Sequence, residues 1–197
     1  MAFKLGSPTC PAGRTKGAIL FPDDLYLAPL HSTFYFRDAK LIVRDEGGVS
    51  GSFVRAVGPE RLVQGGMFAA GERLFRYVGA IAPSPTGQAP VPYGAPAPRV
   101  PLYVVEEMVE GGRPGRACAR LGPVIAIGRL GCELSFANDP LLSGRQCELT
   151  VSPDGAILRD VGGGDGTYVR LTPGAERALN AGDFVRIGSQ VLRVDAA

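Results

Sequence analysis

The sequence repeats itself. Leu41–Arg55, LIVRDEGGVSGSFVR, aligns with Ala156–Arg170, AILRDVGGGDGTYVR, at eight of fifteen positions, an offset of 115 residues. The same offset joins Gly13-Arg14 to Gly128-Arg129, Phe21 to Phe136, Asp24 to Asp139 and Leu27 to Leu142 without a gap. Further on, Leu62, Gly65, Gly71 and Arg76 match Leu179, Gly182, Gly188 and Arg193 at an offset of 117, so the second copy's loop carries two extra residues. A register held over this length means two homologous modules, and whatever one folds into, the other does too.

Between the copies runs APSPTGQAPVPYGAPAPRVP, Ala82–Pro101. Its prolines remove backbone donors and favour extended conformations, the mark of a semi-rigid spacer. The organisation expected is a first domain over residues 1–80, a Pro/Gly/Ala-rich linker over 81–100 and a second domain over 101–197.

Both modules read as β. In the second, short apolar or alternating runs fall at Leu102–Val105, Val124–Ile127, Cys147–Val151, Ala156–Leu158, Thr167–Val169, Phe184–Ile187 and Val191–Val194. Turn residues separate them at Pro153-Asp154-Gly155, Gly162–Gly166, Asn180–Asp183 and Gly188-Ser189. No window keeps an apolar period of 3.6 over a helix length. Many short, closely spaced strands point to a sandwich or barrel.

Composition excludes several functions. A formal net charge of +2 in 197 residues gives no basic excess for non-specific nucleic-acid binding. No apolar run approaches the roughly 20 residues that span a bilayer. The start, MAFKLGSPTCPAG, lacks the features of a signal peptide, and a cytoplasmic location is expected. The cysteines, Cys10, Cys118, Cys132 and Cys147, form no CxxC pair, and with the lone His31 they make no zinc signature, so reduced and mostly buried thiols are expected. No phosphate-cradling GxxxxGK[ST] and no nucleophile elbow occur, which argues against an enzyme. No cofactor and no metal are implied.

In order and spacing, the second copy's IAIGRL…LLSGRQCEL…LRDVGGGDGTYVR…LNAGDFVRIGSQVLRV resembles the forkhead-associated (FHA) domain family over Pro101–Val194. That family carries a Gly-Arg after a strand, then Ser-x-x-His, an Asp, a Ser-x-Asn-Gly-Thr turn, Leu-x-x-Gly-Asp and a late Ile-Gly. The first copy resembles it more weakly over Phe3–Tyr77, through AGRTKG, LAPLH, VRDEGGVSGSFVR and LVQGG. The resemblance implies an all-β chain of two tandem FHA-like β-sandwiches, eleven strands apiece and without catalysis. It also implies loops at one end that take phosphothreonine peptides. A phosphate near two negative charges offers three strong acceptors, which an arginine fork and a hydroxyl can satisfy.

Residue by residue, the resemblance assigns the phosphate-binding arginine to Arg129 and the serine to Ser143, with Arg145 adding charge from the same loop. Gln146 stands at the family's histidine and Asp165 at its asparagine. An ionised carboxylate only accepts, so Asp165 cannot donate to a peptide carbonyl. The first copy keeps Arg14 and His31 but has Ala28 and Ser50 at the serine and asparagine positions, a degenerate second site. The partner implied is a phosphorylated protein, such as a serine/threonine kinase or its substrate. The alternative is a degenerate scaffold making phosphate-independent protein contacts or oligomers.

The first copy has 12 residues ahead of Gly13, whereas the second has 27 between Pro101 and Ile127, ahead of Gly128. The segment PLYVVEEMVEGGRPGRACA is expected to supply an opening strand and part of a second; its counterpart is therefore expected to be missing from copy one, leaving a sheet edge that something must cover.

Overall fold

A computed structural model describes residues 2–81 and 100–196; the expected linker lies, apart from its end residues, outside the described residues. The first copy supplies β1 (Thr9–Gly13), β2 (Ile19–Leu20), β3 (Ser32–Arg37), β4 (Lys40–Asp45), β5 (Ser52–Arg55), β6 (Glu60–Leu62), β7 (Met67–Ala70) and β8 (Arg73–Ile81). The second supplies β9 (Leu102–Val109), β10 (Arg113–Arg120), β11 (Val124–Gly128), β12 (Leu134–Ser135), β13 (Cys147–Ser152), β14 (Gly155–Asp160), β15 (Thr167–Arg170), β16 (Glu176–Leu179), β17 (Phe184–Ile187) and β18 (Gln190–Arg193). The chain is all-β: among the described residues the only helical element is a 3-10 turn at Glu110–Gly112.

The compact units are composed differently from the sequence repeats. One unit is Met1–Val57 with Tyr168–Ala197; the other is the continuous stretch Gly58–Thr167. Each therefore joins the first half of one copy to the second half of the other. In the discontinuous unit, β16 of copy two pairs with β4 of copy one, Leu179 opposite Leu41. In the continuous unit, β6 of copy one pairs with β14 of copy two, Leu62 opposite Ala156. The repeat makes this exchange possible, because homologous halves present the same edge to either partner. Residue patterning is identical for the exchanged and unexchanged arrangements, so the 1–80 and 101–197 boundaries describe the repeat and not these units.

In the discontinuous unit one sheet runs β16-β4-β3-β1-β2, and β5 lies between β15 and β17 with β18 beyond. The two layers bury a common core that includes Ala12, Phe34, Leu41 and Val43 from one side and Val54, Val185 and Ile187 from the other. Phe3 and Leu5, on a segment without strand structure, pack against that core, and Phe3 meets Phe21 edge-on. In the continuous unit one sheet runs β12-β11-β13-β14-β6 and another β10-β9-β8-β7. Its core holds Phe68, Phe75, Tyr77, Ile125, Ile127, Leu149 and Leu158, all buried. Each unit has nine strands among the described residues, two fewer than the resemblance implies.

A buried aspartate fastens the exchanged halves in each unit. Asp24 of copy one accepts hydrogen bonds from the Ser189 N–H at 2.9 Å, the Ser189 hydroxyl at 2.6 Å and Gln190 Nε2 at 3.1 Å, all from copy two's last turn. Its repeat-mate Asp139 accepts from the Glu72 N–H at 3.2 Å and faces Arg73 Nε at 3.3 Å, both from copy one's last turn. Each turn opens with a glycine of positive φ, Gly188 at 53° and Gly71 at 57°, where a Cβ would stand 2.8 Å from the aspartate oxygen. These positions demand glycine twice over, by conformation and by space.

Cys10 and Cys147 are buried, and Cys118 and Cys132 are half-buried, all as free thiols. Burial pushes the Cys147 thiol up, the environment of an inert structural cysteine.

Candidate phosphopeptide-binding loops

In the continuous unit, β11 ends at Gly128 so that the 142–146 loop can lie against it. A Cβ on Gly128 would stand 2.3 Å from the Gly144 carbonyl oxygen. The close approach lets the Arg129 N–H donate to the Ser143 carbonyl at 2.9 Å and the Leu130 N–H to Gly144 at 3.1 Å. Copy one repeats the arrangement: a Cβ on Gly13 would meet the Pro29 oxygen at 2.3 Å, and the Arg14 N–H donates to Ala28 at 2.9 Å. Glycine ahead of the arginine thus has a steric cause in both copies.

Gln146 braces the loops from beneath. It is completely buried. Its Oε1 accepts from the Ser143 N–H at 3.1 Å, while Nε2 donates to Asp160 Oδ1 at 3.0 Å and to the Gly163 carbonyl at 3.3 Å. Asp160 also accepts from the Gly162 N–H at 3.2 Å and the Thr167 N–H at 3.0 Å, holding both ends of the 161–166 turn. His31 does the same work with one donor fewer. Its Nδ1 accepts from the Ala28 N–H at 3.1 Å, which assigns the proton to Nε2, and Nε2 donates to Gly51 at 3.0 Å. His31 does not reach Asp45; there the Ser52 hydroxyl and N–H donate to Oδ2, each at 2.6 Å, and the Gly47 N–H donates to Oδ1 at 2.7 Å. The change from histidine to glutamine is thus matched by a change in what completes the neighbouring aspartate.

The side chains above these braces differ. Arg129 is exposed, and its guanidinium has no hydrogen bond or ion pair among the described residues. Ser143 is half-buried, and its hydroxyl donates to the Gly162 carbonyl at 3.0 Å. Arg145 is exposed and held by Glu148 at 2.5 Å, a hydrogen bond and charge pairing that raise its pKa further. Asp165 is exposed at the tip of the 161–166 turn. The structure brings together the backbones that carry Arg129 and Ser143. The 161–166 turn joins them at Gly162, whose Cβ position falls 2.8 Å from Ser143 Cβ.

In copy one, Ala28 offers no hydroxyl, and the Ser50 hydroxyl donates to the Tyr26 carbonyl at 2.5 Å. That bond ties the 46–51 loop to the 21–31 loop. Around it Leu25 is 80%, Tyr26 72% and Val49 97% exposed. Sequence reading missed this apolar cluster and also missed Glu148, although the spacing Arg145-x-x-Glu148 on the approach to a strand was a usable signal.

The FHA domain family model matches residues 125–188. An FHA domain is therefore recognised in the C-terminal half, over a stretch that carries Arg129, Ser143, Arg145 and Asp165. It begins in the continuous unit and ends in the other. The N-terminal β-rich region is not matched. No curated protein and no solved structure matches the chain. FHA domains are in general phosphopeptide-binding interaction modules, and they are typically non-catalytic. Among the described residues no helix is long and apolar enough to cross a membrane.

Proposed function

We propose that the second copy's loops read a phosphothreonine peptide and that the chain is a non-catalytic adaptor in serine/threonine-kinase signalling in the cytoplasm. The observation that carries this reading is Arg129: an exposed guanidinium with no partner among the described residues, beside the Ser143 loop, within the matched FHA domain. A phosphate dianion would complete it with charge-assisted bonds. Ser143 would turn its hydroxyl from the Gly162 carbonyl toward the phosphate, and Arg145 would add charge from the same loop. Asp165 supplies no donor to the peptide backbone and adds a like charge, so the affinity is weak. The reading extends to copy one as an FHA-like β-sandwich of the same descent, with Arg14, Ala28, His31 and Ser50 forming a pseudo-site.

Binding of the whole chain to a degenerate phosphothreonine peptide library, beside the same library unphosphorylated, tests this. Selective retention of phosphorylated peptides, lost in Arg129→Ala, is the expected result. Equal retention of both libraries would refute it.

A second reading applies to copy one. Leu25, Tyr26 and Val49 stand exposed where a phosphate reader would place polar contacts. This favours a phosphate-independent protein contact at that loop end.

A further inference from the structure

Strand β18 closes a two-residue turn with β17, pairing Arg193 with Phe184, Leu192 with Val185 and Gln190 with Ile187. Val194 continues the ladder, donating to Asp183 at 2.9 Å and accepting from Gly182 at 2.8 Å. Residues 190, 192 and 194 therefore bond inward. Val191 and Arg193 turn their N–H and C=O groups away from β17, and no strand pairs with them among the described residues.

The other unit shows what such an edge takes. The 117-residue offset sets Leu74, Phe75 and Arg76 of β8 against Val191, Leu192 and Arg193 of β18. On β8 the outward positions meet β9, antiparallel, with Leu74 opposite Met108 and Arg76 opposite Glu106. The Arg76 guanidinium holds the Glu106 carboxylate, Nε to Oε1 at 2.6 Å. Under that cover Phe75 is fully buried, whereas its counterpart Leu192 is only half-buried and Val191 is 53% exposed. Among the described residues Arg193 meets only Asp195, 2.8 Å away, in a well-exposed pair that contributes little and yields to a better-placed acid.

We propose that the β18 edge takes an extended segment of a partner protein as an added antiparallel strand, with alternating apolar residues and a carboxylate opposite Arg193. The chemistry is that of Leu102–Val109, LYVVEEMV, which fills the equivalent place on β8. The β18 edge and the Arg129 loops belong to different units, and the test of one is independent of the phosphopeptide reading of the other.

The probe is a fluorescein-labelled peptide of residues 101–112, PLYVVEEMVEGG, titrated into the full chain by fluorescence polarisation, with amide hydrogen exchange read by NMR. Saturable binding with new protection at the Val191 and Arg193 amides is expected. Val191→Pro removes an outward donor without touching the β17 ladder, and it should weaken binding at least tenfold. If Val191→Pro fails to fold, Arg193→Glu serves: it should weaken binding severalfold, and changing the peptide's Glu106 to arginine should restore it. Absence of binding would overturn the proposal. So would binding that leaves the Val191 and Arg193 amides unprotected, or that persists unchanged in Val191→Pro and Arg193→Glu.

Discussion

The two units are built alike and presented differently. Both pack two sheets, both fasten their exchanged halves with a buried aspartate on a glycine turn, and both hold their loops with one buried side chain, His31 or Gln146. Above those braces they diverge. The continuous unit carries at Arg129 a guanidinium with no partner among the described residues, and a serine at Ser143. The discontinuous unit carries Ala28, a serine engaged at Tyr26, and exposed Leu25, Tyr26 and Val49. Its last strand has an edge that no described strand pairs with, where the other unit's β8 is covered by β9. The buried brace is kept in both units while the loop tips above it diverge, so the two change separately.

The exchange of halves makes the two fragments of the chain fold differently. Residues 58–167, expressed alone, are expected to unfold cooperatively, because every strand of that unit is present. Residues 101–197 lack β6, β7 and β8 and are expected to remain unfolded or to associate. Chemical denaturation followed by circular dichroism decides between them, and a cooperative monomeric 101–197 would mean that the exchange is dispensable.

Next in size is the brace. Gln146→Ala should destabilise the chain by about 2–3 kcal/mol, because it removes three hydrogen bonds made by a fully buried side chain and leaves a void. Gln146→His should recover part of that loss, since His31 holds the equivalent loop. A loss from Gln146→Ala below about 0.5 kcal/mol, the level of an ordinary surface change, would place the brace elsewhere.

The loop tips come third. Arg129→Ala should lower phosphothreonine-peptide affinity by roughly 1.5–3 kcal/mol, the range for a hydrogen bond to a charged group, with no loss of stability. Arg14→Ala should leave affinity unchanged. Asp165→Asn restores an amide donor and should raise affinity by about 1 kcal/mol, read by titration calorimetry. Equal effects at Arg14 and Arg129 would erase the distinction between the copies.

The smallest effect concerns acid. Burial pushes the Asp24 carboxyl up, but bonds from Ser189, Gln190 and Tyr26 outweigh it and leave it below the ordinary range. Burial likewise opposes, and Thr33 and Arg44 outweigh, at Glu46. Groups depressed in the folded state contribute stability that is fully present above their unfolded pKa, about 4. That contribution is lost as pH falls through the folded values. The melting temperature should therefore fall between about pH 5 and pH 3, and Asp24→Asn should flatten the decline.

Much of the strand pattern was legible. Phe184–Ile187 occurs as read, and Cys147–Val151 and Val124–Ile127 extend by one residue. Arg113–Arg120 was legible only as part of a second strand after the opening one, because RPGRACAR lies almost wholly exposed and carries no alternation of burial to mark its bounds. Glu176–Leu179 was missed for the same reason, with Leu179 its single buried residue. The exchange of halves was invisible in principle, since a repeat states which segments are equivalent and not which copy completes which. At the loops, the repeat picked out Asp24 and Asp139 but not their partners, which come from the other copy's last turn. The commitment of Ser50 to Tyr26 and of Arg145 to Glu148 depends on rotamers and loop course, which no spacing rule encodes.

The interleaving also sets an order of events during synthesis. The chain's first 57 residues cannot close their unit until Tyr168–Ala197 has been made, about 140 residues later. At roughly 5–20 residues per second that is a wait of about 7–28 seconds. Meanwhile Gly58–Thr167 is emitted in one piece and completes itself first. The early segment, with its naked β4 edge and apolar Phe34 and Val43, spends that interval as the part of the nascent chain most in need of a chaperone.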